Sequence, residues 1–134
     1  GLQMSNIADF NMAANADVDR EHEVQLELLR ELCKAAGTNG DPAIVAEILE
    51  RLIDYSEAHF ASEELLMRMK SYDDYEEHVE DHAQMLDALR GIAADHGRGE
   101  SALVAGRATE SLEFIGRHIA TRDRRFANAV RAGL

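Results

Sequence analysis

Histidines and carboxylates recur along this chain at intervals that only helices can gather into one site: His22, then His59 with Glu63, His78 with His82, and His118 with Asp123. Residues four apart on an α-helix lie on one face about one turn from each other, so His59/Glu63 and His78/His82 can each present two donors to a common point. Four helical segments then supply seven donor side chains. A single metal ion rarely takes that many protein ligands with imidazole among them, whereas two octahedral ions sharing two bridging carboxylates use the number readily. The pattern predicts a two-metal site inside a bundle of helices.

The rest of the sequence supplies such a bundle. At 134 residues the chain has the size of one domain. Its single Pro and its wealth of Ala, Leu, Glu and Arg point to an all-α fold. Residues 1–16 show no sustained periodicity and read as an N-terminal arm or linker, with the bundle over 17–134. A first helix is expected from Asp17 or Asp19, carrying Val24, Leu28, Leu29 and Leu32 and stopping before Gly37-Thr38-Asn39-Gly40. Asp41-Pro42 is a strong start for the second, which keeps helical spacing to about Met69. A third should span about residues 74–94, with Gly97 and Gly99 as breakers, and a last should run from Ser101 to near Arg131. Short connections make an antiparallel up-down four-helix bundle the economical topology.

Asp and Glu number 26 against 14 for Lys and Arg, a net charge of −12 that repels nucleic-acid phosphates and anionic membrane surfaces. Cys33 is the only cysteine, so neither an intrachain disulfide nor a cysteine zinc cluster can form, and a reducing cytoplasm fits. No apolar run approaches the roughly 18 residues of a membrane span, and the start lacks the basic-then-apolar order of a signal peptide. A soluble cytoplasmic protein is expected, or one domain of a longer chain.

His118 and Asp123 need separate treatment. Five residues at about 100° each leave them roughly 140° apart on an ideal helix. They meet at one site if the helix widens locally into a π-type turn, or if the side chains splay around a large cofactor, for which a two-ion centre has the size. His96, beside Asp95 and Gly97, reads as a solvent-facing loop residue outside the ligand set. The carboxylate-rich di-iron bundle of the ferritin type requires Glu-x-x-His pairs. The chain has none: Asp19, Ser56, Tyr75, Val79 and Ile115 stand three residues before the candidate histidines. An imidazole-rich site with two bridging carboxylates favours holding a dioxygen ligand over strongly oxidising chemistry.

DVDREH (17–22), HFASEELLM (59–67), YDDYEEHVEDH (72–82) and HIATRD (118–123) together resemble the hemerythrin family, and more closely its bacterial hemerythrin-like domains. The resemblance covers about residues 17–131 and implies an antiparallel four-helix bundle holding a non-haem di-iron centre. It implies that His78, His82 and His118 ligate one iron and His22 and His59 the other. Glu63 and Asp123 would bridge the two together with an oxo or hydroxo group. It further implies that dioxygen binds end-on at the iron with two histidines and is held as hydroperoxide.

Phe60, Phe114, Ile115 and Ile119 lie one turn from ligands and are candidate pocket walls. Three residues after the first histidine, where the family usually has Leu, this chain has Gln25. A Gln25 amide in the pocket would hydrogen-bond the ligand or admit water and speed autoxidation; if instead it faces solvent, Leu26 fills the apolar role. The expected function is dioxygen binding, as a carrier or as a sensor domain fused to a signalling partner. The alternatives are a di-iron enzyme acting on peroxide, nitric oxide or ferrous iron, and a structural zinc or manganese bundle.

Overall fold

The computed structural model describes the backbone of residues 2–37 and 40–134, and the side chains of residues 19–37 and 40–134. Helix α1 spans Leu2–Gly37, α2 Pro42–Met69, α3 Tyr75–Gly97 and α4 Ser101–His118. A π-turn at Ile119–Asp123 then joins α4 to α5, Arg124–Arg131. The bundle expected from the sequence is present, with α4, the π-turn and α5 forming its fourth rod.

Helix α1 begins well before the expected Asp17. No Gly or Pro interrupts residues 2–36, and once a helix is nucleated each added residue costs little, so a stretch without an apolar stripe stays helical. How the side chains of residues 1–16 pack lies outside the described residues. Asp41 caps α2 as expected, its carboxylate accepting from the Ala43 amide at 2.9 Å with Pro42 in the first turn. Gly99 takes φ +74° between α3 and α4, a conformation open to glycine at little cost.

Cross-helix contacts fix the topology. His22 meets Glu63 while Gln25 meets Ser56, so α1 and α2 run antiparallel. Glu64–His82 with Glu57–Arg90 does the same for α2 and α3, and Asp81–His118 with Asp95–Arg107 for α3 and α4. Helix α1 also packs on α4, which closes the square.

Two apolar clusters bracket the histidines along the rods. The larger includes Leu29, Leu32, Leu52, Leu89 and Ile92, each fully buried; the smaller holds Met67, Tyr72, Phe126 and Val130. Beyond the larger one, Asp95 is buried in the last turn of α3 and pairs with Arg98 and with Arg107, whose Nη1 lies 3.1 Å from Oδ2. Helix α3 runs three residues past its expected end, so His96 belongs to its last turn and not to a loop. Its Nε2 lies 3.0 Å from the Pro42 carbonyl, far from the histidine cluster. Val24, first of the expected apolar series, is exposed. Among the described residues no helix is long and apolar enough to cross a membrane.

Candidate metal centre

The seven predicted donors come together between the two apolar clusters, and all are at least nine-tenths buried. Each comes from a different turn of the four rods. The His59/Glu63 and His78/His82 pairs face inward because four residues make about one turn. Asp123 faces inward because of the π-turn, in which the Arg124 amide bonds back to the Ile119 carbonyl, five residues away. That added residue turns Asp123 back over His118, whose Nε2 lies 3.1 Å from Asp123 Oδ1. Of the two ways His118 and Asp123 could meet, the widened turn is the one found. The Thr121 hydroxyl donates to the Arg117 carbonyl at 2.7 Å and gives that displaced backbone group a partner.

Both carboxylates divide their oxygens between the same two groups of histidines. Glu63 sets Oε2 2.9 Å from His22 and 3.5 Å from His59, and Oε1 3.2 Å from His82. Asp123 sets Oδ2 3.2 Å from His22, and Oδ1 3.2 Å from His78 and 3.1 Å from His118. His22, His59 and Glu63 form one triad able to hold a metal ion, His78, His118 and Asp123 a second, and Glu63, His82 and Asp123 a third that links them.

Outside this layer, acids orient the rings. His59 Nδ1 donates to Glu21 at 3.0 Å, His82 Nδ1 to Glu64 at 2.9 Å and His118 Nδ1 to Asp81 at 3.1 Å; His78 Nδ1 reaches the Asp74 carbonyl at 3.4 Å. A ring whose Nδ1 carries the proton presents a bare Nε2 lone pair, and carboxylate partners of this kind are how metal-ligating histidines are usually held. The Nε2 atoms of His59, His82 and His118, together with Glu63 Oε1, are buried and make no hydrogen bond. Buried polar atoms seldom stay unpaired, and here several converge on one point, so the donor set fits metal cations.

Electrostatics agree. Burial pushes the His22 imidazole down, but its hydrogen bonds with Asp123 and Glu63 win and raise it to about 10. Burial opposes ionisation of Glu63, yet the His22 and His82 imidazoles against its two oxygens lower it to about 2, and Asp123 is likewise held well below the carboxylate range by His118, His22 and His78. Two ionised carboxylates buried side by side demand positive charge. Without a metal, protons on His22 and His82, both raised, supply it; a cation would replace them.

Among the candidate pocket walls, Phe60 is buried and stacks on His82 with ring centroids 4.1 Å apart, and Ile115 is buried. Ile119 is half-buried against the core. Phe114 is 40% exposed. The buried stripe of α4 is Val104, Ala108, Ser111, Ile115 and His118, and Phe114 stands roughly 80° around the helix from its middle. Gln25 is fully buried and bonded to Ser56, not turned to solvent, while Leu26 is only half-buried.

Glu21, Glu64, Asp81 and Ser56 were not singled out in the sequence. The signal was adjacency: Glu21 precedes His22, Glu64 follows Glu63 and Asp81 precedes His82. In so acidic a chain, such neighbours look like solvated surface.

Comparison with known proteins bears on this arrangement. The family model described as "Hemerythrin HHE cation binding domain" matches residues 13–130. A myohemerythrin of Theromyzon tessulatum is 31% identical over 77 residues, and a bacteriohemerythrin of Methylococcus capsulatus is 35% identical over 77. Each match covers 58% of this chain, and it spans only 58% and 55% of those two relatives. A bacteriohemerythrin of Stenotrophomonas maltophilia is 28% identical over 126 residues, 94% of this chain and 80% of the relative. No solved structure matches the chain significantly. A buried histidine and carboxylate cluster, a four-helix frame and a family match that contains every one of the seven donors converge, and the chain belongs to the hemerythrin family.

Proposed function

We propose that the protein binds dioxygen at a pair of iron ions. His22 and His59 would hold one ion, His78, His82 and His118 the other, with Glu63 and Asp123 bridging. The observation that carries this reading is the division of each carboxylate's oxygens between the two histidine groups. Two iron ions held so would supply one electron each to bound dioxygen and take them back on release.

The chain's own residues set the surroundings. Glu21, Glu64 and Asp81 keep the histidines in the ligating tautomer. Phe60 and Ile115 exclude water from one side. Dioxygen would be taken up end-on at the His22/His59 side, which offers fewer imidazoles. Carrier and sensor domain are both compatible with this chemistry. A second reading, an enzyme acting on peroxide, nitric oxide or ferrous iron, draws support from the polar Gln25–Ser56 pair next to the site.

The test is the optical spectrum of anaerobically reduced, iron-loaded protein before and after air. A charge-transfer band that forms on mixing and fades slowly supports dioxygen binding. Immediate oxidation without such a band moves the protein to the enzyme reading.

A further inference from the structure

Gln25 and Ser56 are both completely buried and bonded to each other, and metal binding uses neither. Gln25 stands one turn after His22 on α1 and Ser56 one turn before His59 on α2, so the antiparallel pair occupies the layer next to the histidines. Leu29 and Leu52, fully buried, begin the apolar core one turn further on. Residues at the matching positions of the other two rods are Met85, one turn after His82, and Ile115, one turn before His118; both are buried and neither offers a donor.

The Gln25 amide is half used. Its Nε2 donates to Ser56 Oγ at 2.9 Å, while Oε1 is buried without any hydrogen-bond partner. Buried acceptors are nearly always satisfied by protein or by ordered water. A packing role would be filled better by Leu, which leaves nothing unpaired.

We infer that Gln25, held by Ser56, is a hydrogen-bond-accepting subsite for a small protic molecule beside the metal centre, occupied by water in the resting protein. The inference rests on the metal-binding reading above and concerns what else the site admits. A carboxamide oxygen accepts from an O–H group and repels an anion, so it favours a ligand that brings a proton over azide. Ser56 is the positioning residue: by accepting from Nε2 it decides which end of the amide is left free.

Two measurements on wild type, Gln25→Leu and Ser56→Ala test this. The first is a high-resolution crystal structure of each zinc-loaded protein. An ordered water within hydrogen-bond distance of the Gln25 oxygen is expected in wild type and should vanish in Gln25→Leu. The second is azide titration of the oxidised, iron-loaded proteins, where Gln25→Leu should bind azide about tenfold tighter than wild type. Ser56→Ala, which frees the amide to turn its N–H groups inward, should also bind tighter while still folding, and it decides the matter if Gln25→Leu does not fold. No ordered molecule on the Gln25 oxygen, or equal azide affinity across the variants, overturns the subsite. Failure to take up iron would instead remove the di-iron reading, and the zinc structures would still decide the subsite.

Discussion

The two halves of the histidine layer are built to different specifications. On the α3/α4 side three imidazoles converge, two backed by acids and one by a backbone carbonyl, and Asp81 bonds both His118 at 3.1 Å and Arg122 at 2.9 Å. Asp81 therefore ties α3 to the start and to the interior of the π-turn at once. On the α1/α2 side only His22 and His59 are present, His22 bonds inward to both carboxylates, and the adjoining layer is the polar Gln25–Ser56 pair. One side presents three imidazoles, each with an outer partner; the other presents two and carries a polar wall. On the proposed reading, the difference suits a site that holds metal on one side and takes a small molecule on the other.

Removing a carboxylate that touches both halves should have the largest effect. Asp123→Ala takes away an oxygen from His22 and another from His78 and His118, and it should weaken metal retention by about 100-fold or more. Metal analysis after dialysis would show this as a fall in iron per chain. The outer acids come next and separate the halves: Asp81→Asn should lower metal affinity by roughly 10- to 100-fold, and Glu21→Gln by less. Equal losses from the two would erase the contrast between the three-imidazole side and the two-imidazole side.

Acidity tests the charge balance of the layer. In metal-free protein His22 is raised from 6.5 to about 10, so its contribution is fully present below 6.5 and is lost as the pH rises through 10. Glu63 is lowered from 4.5 to about 2, so its contribution is present above 4.5 and is lost as the pH falls through 2. Metal-free protein should therefore melt highest between about pH 4.5 and 6.5 and several degrees lower by about pH 9, a decline that bound metal should abolish. Matching melting curves with and without metal would contradict the exchange of protons for cations. The smallest expected effect lies on the ligand side: Gln25→Leu should slow autoxidation of the oxygenated protein a few-fold, and stopped-flow decay at an unchanged rate would deny Gln25 a place in the pocket.

Much of this was legible in the residues themselves. Four-residue spacings, the Asp41-Pro42 start and the Gly99 breaker specify the helices locally, so the bundle and its inward-facing donors follow from helical geometry. Other features depend on information the sequence holds only weakly. The π-turn is a backbone adjustment stabilised by long-range contacts such as Asp81–Arg122, and the spacing of His118 and Asp123 permitted it without requiring it. Phe114 is as apolar as Phe60, and only the position of the neighbouring rods decides that one is buried and the other exposed. Reading helix from apolar periodicity also shortened α1, because periodicity reports packing and not helix formation.

The most direct test of the two-ion account is the iron content of the anaerobically reconstituted and then oxidised protein, read with its electron paramagnetic resonance spectrum. Two ferric ions per chain, coupled through the shared bridges and therefore silent, is the result the carboxylate geometry predicts. One ferric ion per chain with a strong isolated high-spin signal would contradict it, and would leave Glu63 and Asp123 as ligands of a single metal.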